Sequence, residues 1–171
     1  VEALRALRSQ LMLRWFVGET GHKTLAFCSA GRGEGRSYLA ANLAIIFSQL
    51  GEHTLLIDAD LRHPHQHELF KTDNKLGLSS VLSGRGGFET IQRIPAFENL
   101  SLLAAGPVPP NPQELLGQPT FVQLLETAAS RYDVVLIDTP AADDYGDTQM
   151  IAARARAAII VARKHKSYLA A

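Results

Sequence analysis

A chain of 171 residues, 46% of them apolar and 20% charged, can bury a core of its own. Seventeen basic residues balance seventeen acidic ones, so the formal net charge is zero and nothing in that balance suggests a nucleic-acid partner. No apolar run approaches the roughly 20 residues that cross a bilayer, no signal peptide is evident, and the one cysteine, Cys28, excludes an internal disulfide and fits a reducing cytoplasm.

The chain begins at Val1 rather than Met and is expected to be part of a longer protein, with any membrane association supplied by a partner or another segment. Residues 3–17 predict a helix, because Leu4, Leu7, Leu11 and Trp15 form an apolar stripe. Residues 24–28 predict a strand in which Cys28 is a small buried residue. A helix is expected over 38–50, ending at Gly51, and a second strand over 53–58 (HTLLID). The alternation of His63, His65 and His67 could suit a metal in extended chain, but with Pro64 inside it reads as a loop and helix start. Short helices are predicted over 78–83 and 87–93, and a third strand over 100–105. Residues 106–112 hold four prolines and cannot be regular, because proline lacks a donor and fixes φ. A helix over 119–130, a strand over 133–138 (DVVLID), a helix over 147–155 and a strand over 157–162 complete the chain. Strands that are nearly uniformly apolar and alternate with helices predict an α/β fold, with a mostly parallel sheet covered on both faces.

Between the first strand and its helix runs Ser29-Ala30-Gly31-Arg32-Gly33-Glu34-Gly35-Arg36-Ser37-Tyr38. Strand, glycine-rich turn and helix is the context in which backbone N–H groups cradle phosphates at a positive helix end. Residues 31–38 are therefore the candidate nucleotide-binding loop, with Arg36 where a P-loop carries lysine. Arginine keeps the charge and binds phosphate, but its planar fork differs in reach and angle. Arg32 could add a second charge or be a solvated loop cation. Two further strands end in aspartate, Asp58 and Asp138, and so carry carboxylates to the sheet rim where ligands of such folds bind. Ser37, Asp58 and Asp138 are the natural set for a Mg²⁺ ion that bridges ATP phosphates. Asp58 or Asp60 could orient or deprotonate an incoming hydroxyl, and Arg62 could stabilise phosphoryl charge or pair with these aspartates.

These residues resemble the bacterial tyrosine kinases of polysaccharide export, the BY-kinases, over nearly the whole chain. Residues 55–62 are similar to their Walker A′ motif, an apolar triplet followed by D-x-D-x-R, and residues 134–140 to their Walker B. His63 and Pro64, with His67 and Phe70, fit the continuation of that motif, and residues 105–116 (AGPVPPNPQELL) are typical of the family. Residues 32–44 look most like an exopolysaccharide-associated branch often called EpsG, in which arginine stands in the loop. Glu2, Arg5 and Arg8 match the family's E-x-x-R-x-x-R oligomerisation motif, on about a third of a helix circumference. Spacing alone favours a solvated face with a weak ion pair, and it is the resemblance that favours an intersubunit contact.

The resemblance implies an ATP- and Mg²⁺-dependent protein-tyrosine kinase in a single domain over 1–171. Catalysis would rest on Arg36, Asp58, Asp60 and Arg62. The domain would assemble into a homo-oligomeric ring through Glu2, Arg5 and Arg8. It would be cytoplasmic and peripheral to the inner membrane, through a membrane-anchored chain-length-determinant activator. The family's C-terminal tyrosine cluster is not seen in this sequence, either because the tail is cut off or because the branch lacks it; of Tyr38, Tyr132, Tyr145 and Tyr168, Tyr168 is the best acceptor candidate. Two alternatives stand beside this reading. One is an ATPase switch of the MinD/ParA kind, against which Gly31 occupies the place of its signature lysine. The other is a nucleotide-binding scaffold without kinase activity.

Overall fold

The computed structural model describes residues 1–17, 21–143 and 145–165. Strands β1 (Thr24–Ser29), β2 (Thr54–Asp58), β3 (Gln92–Arg93), β4 (Leu100–Leu103), β5 (Val134–Asp138) and β6 (Ala158–Val161) form one sheet in the order β3-β4-β2-β5-β1-β6. All pair in parallel except β3, which runs antiparallel to β4. The apolar strands follow from burial on two faces. Leu25, Phe27, Leu56, Val134 and Leu136 face one core, built with α2 (Arg36–Gln49) and α1 (Glu2–Leu11). Ala26, Cys28, Leu55, Ile57, Val135 and Ile137 face the other, built with α4 (Leu78–Leu82), α5 (Pro112–Gly117), α6 (Pro119–Arg131) and α7 (Asp147–Ala155).

Three elements depart from the expectations. The first helix ends at Leu11 and continues as a π-helical turn over Met12–Phe16, closed by Val17 N–H donating to the Met12 carbonyl at 2.9 Å. The wider turn brings Trp15 to the Thr24 carbonyl (3.1 Å) and Phe16 edge-on to Phe47. Residues 87–93 are not one helix: a 3₁₀ turn at Phe88–Thr90 leads into β3. Pro95 holds the residue before it extended, and Ile94 bonds back to Leu100, closing a hairpin where a helix was predicted. After the proline run, α5 starts with Pro112 at its first turn, where a missing N–H costs nothing.

Candidate active site at the carboxyl ends of the strands

Parallel register puts the carboxylates side by side. Asp58 pairs with Asp138 across β2 and β5, and Asp138 is level with Phe27 of β1, two residues before the loop. The loop turns through Gly33 and Gly35, whose φ values of 71° and 85° lie in the left-handed region that glycine enters without strain. Gly35 then caps α2, whose first residues are Arg36 and Ser37.

Arg36 does not reach out to solvent. Its Nε donates to Asp138 Oδ1 (2.9 Å), its Nη1 to Ser29 Oγ (2.7 Å), and its Nη2 pairs with Asp60 Oδ2 at 3.6 Å. Three nitrogens of one planar fork serve three partners, where lysine would bring a single compact ammonium. Asp58 is wholly buried; its Oδ1 accepts from Asp60 N–H (3.1 Å), and its Oδ2 accepts from His65 and Gln66 N–H (3.0 Å each). Asp60 Oδ1 accepts from the N–H groups of Arg62 and His63. The two aspartates thus shape the segment between β2 and the short helix α3 (Gln66–Leu69). Two carboxylates, Asp138 and Asp60, therefore face one guanidinium, and Asp58 lies buried beside them on backbone N–H groups alone. Burial, and then the charge of Asp138, push Asp58 up to about 8. Burial also raises Asp60, offset in part by the His63 N–H and by Arg36.

The structure brings Ser37, Arg36, Asp58, Asp60 and Asp138 together and sends Arg62 elsewhere. Arg62 grips Asp147 in the first turn of α7 through two bonds (2.8 and 3.2 Å), and its guanidinium lies 3.6 Å from the centre of the Tyr145 ring. The Asp147 hydrogen bonds raise the Arg62 pKa further. Among the loop residues, Glu34 turns inward and accepts from Gly31 N–H (3.2 Å), while Arg32 lies 2.7 Å from His63 Nε2. Tyr38 is exposed beside an open cleft of about 250 Å³ lined by Gly33, Gly35, Ser37, His65 and Leu69. Of the other tyrosines, Tyr132 is half-buried against the core and Tyr168 lies outside the described residues. The three histidines diverge: His63 goes to Arg32 and His65 to Glu68, and His67 is half-buried. Cys28 is buried as expected, and burial raises its thiol pKa.

Gln66, Asp147 and Ser29 were missed by the sequence reading. Gln66 donates its Nε2 both to the Ser37 carbonyl (2.9 Å) and to Asp138 Oδ2 (2.8 Å). Among the described residues, no three His, Cys, Asp or Glu side chains form a ready-made metal cage. The donors present suit Mg²⁺ nonetheless, since that ion keeps several waters and takes phosphate oxygens, with one or two carboxylates from the protein. Ser37, Asp58 and Asp138 offer hard oxygens, and the buried Gln66 Oε1 has no partner.

A glycine-rich loop after β1, a helix that starts on it, and strand-end aspartates on a parallel sheet define a P-loop NTPase-like protein. No protein-family model matches the chain. Curated relatives do match. The tyrosine-protein kinase wzc of Salmonella typhimurium is 37% identical over 95% of this chain and 22% of its own length. CapB of Staphylococcus aureus is 34% identical over 97% of this chain and 72% of its own length. The kinase domain of the Escherichia coli tyrosine kinase ETK superposes with a TM-score of 0.92 at 34% identity, over 98% of this chain and 65% of that domain's chain. The chain belongs to the bacterial tyrosine-protein kinase family, the BY-kinases. It spans about a fifth of the length of the first curated relatives it matches.

Proposed function

We propose that this chain is a domain that binds ATP with Mg²⁺ and transfers the γ-phosphoryl group to a tyrosine hydroxyl, as a BY-kinase of exopolysaccharide polymerisation or export. The observation that carries the reading is the meeting of Arg36, Asp60 and Asp138 at the mouth of the loop, with Ser37 and Asp58 beside them. Backbone amides over 33–37 would hold the phosphates, and Arg36 would neutralise charge on them. Ser37, Asp58 and Asp138 would hold Mg²⁺, which when bound supplies charge neutralisation of the phosphates. Asp60 is the side chain to orient, or take the proton of, the acceptor hydroxyl. It is raised in pKa, borders a cleft shared with Ser37, Ala141 and Tyr145, and keeps one oxygen toward Arg36. Arg62 is fixed by Asp147 and reaches Asp60 only through its charge and its backbone N–H. Catalysis would be positioning and electrostatics.

The partners follow from the same reading. Glu2 and Arg5 are exposed on α1 and Arg8 is half-buried, with its Nε unpaired. That face would join subunits into a ring, and a membrane-anchored activator would place the domain at the inner membrane. No helix of the described residues is long and apolar enough to cross a membrane.

Incubation with γ-labelled ATP, with and without the cytoplasmic segment of the activator, tests the reading. We expect label on tyrosine and a loss of about 10²-fold or more in Asp60→Asn. Nucleotide binding with no transfer, even with the activator segment, would leave the scaffold reading in its place.

A further inference from the structure

Gln66 has no task in the mechanism above, yet it touches every residue assigned to the metal. It is fully buried at the start of α3. Its backbone N–H donates to Asp58 Oδ2 (3.0 Å), and its side-chain Nε2 donates to the Ser37 carbonyl (2.9 Å) and to Asp138 Oδ2 (2.8 Å). Both side-chain partners are acceptors, so the amide cannot be reversed without losing both bonds. That orientation leaves Oε1, an acceptor, buried with no donor. Buried acceptors in native proteins are paired, and an exception at a polar site calls for a missing group. The two bonds account for the nitrogen end of the amide, and the buried oxygen end is what they leave unexplained.

Asp138 is gripped from two sides: Arg36 holds Oδ1 and Gln66 holds Oδ2. A carboxylate fixed in this way has little freedom to rotate. We infer that Gln66 is a positioning residue for the metal ion. It ties the first turn of α2 to the end of β5 and sets the spacing of Ser37 and Asp138. It also presents Oε1 to a water of the ion's hydration shell, supplying the donor that the oxygen lacks. Mg²⁺ keeps such waters, and outer partners of this kind govern metal affinity by about 10- to 100-fold. The inference rests on the Mg²⁺-nucleotide reading of the loop.

The test is the affinity of a fluorescent ADP analogue with Mg²⁺ and with EDTA, for the native protein, Gln66→Leu and Gln66→Asn. The native protein gains affinity with Mg²⁺. Both variants lose about 10-fold or more of that gain, stay within about 2-fold of native in EDTA, and show a smaller Mg²⁺-dependent rise in Tm. A folded variant with the full gain, or with equal loss under both conditions, overturns the inference. A second readout needs no variant. The side-chain amide resonances of Gln66 shift when Mg²⁺ is added to the ADP-bound native protein; unchanged resonances contradict the role. A native protein that binds no nucleotide would instead overturn the reading of the loop itself, and this role with it.

Discussion

Arg36 and Asp58 carry the balance of charge at this site. Arg36 replaces a point charge with a fork, and its three nitrogens knit the loop to β1, to β5 and to the turn after β2. Its presence in the loop was legible in the sequence; its embrace of Asp138 was not, because that contact spans 102 residues. Asp58 is the counterweight. Its pKa is raised to about 8 against an ordinary 3.8, so the folded protein binds this proton more tightly than the unfolded chain. Asp60 shifts in the same direction. The stability from Asp58 is complete below about pH 4, near its unfolded value, and is lost as pH rises through about 8, and Asp60 adds to the loss in the same direction. Without nucleotide, Tm should therefore fall between pH 5 and 8.5, by about 2–4 °C for each kcal/mol lost. Mg²⁺ with ADP should flatten the slope by neutralising the carboxylates. A scanning-fluorimetry series checks both, and a Tm that rises across that range would contradict the shift.

At the level of elements, the strands were readable and the connections less so. The four inner strands β1, β2, β4 and β5 are largely apolar on both faces because helices cover both, while edge strand β6 leaves Ile160 exposed. Pro95 was visible in the sequence, but its effect depends on β4 lying ready to pair with Gln92 and Arg93. Asp147 read as a helix-start residue and is one; that it holds Arg62 comes from a contact over 85 residues. The segment after β2 is the informative case. Asp58 and Asp60 were read as site residues by their motif, and they also shape that segment through its own amides. Gln66 gave no sequence signal, because an isolated glutamine between histidines resembles any helix start.

Helix α1 presents a separate claim. Its apolar stripe packs on the α2 side of the sheet, which leaves Glu2 and Arg5 outside. If that face joins subunits, the double variant Arg5→Ala, Arg8→Ala should run as a monomer by light scattering while the native protein runs as a larger assembly. The variant should still fold, because Arg5 is exposed and Arg8 is only half-buried. Equal masses for the two proteins would contradict the interface.

Over the whole molecule, the fold and the site have one origin. Parallel pairing of β2 with β5 and of β5 with β1 sets two aspartates and the glycine-rich loop at one end of the sheet. The α/β class and the place of the site were legible because strand, loop and helix are local patterns. The coupling of Arg36, Gln66 and Asp147 to those aspartates was not, because it is written only in the packing. The central claim is that this end of the sheet takes phosphates on the loop and a metal on the carboxylates. The most direct measurement is a crystal structure with Mg²⁺ and ADP. We predict that the β-phosphate lies on the amides of 33–37, that Mg²⁺ sits between Ser37, Asp138 and Asp58, and that Arg36 has left Asp138 to face the phosphates. Nucleotide bound away from the loop, or Arg36 still holding Asp138 with no metal beside it, would contradict the account.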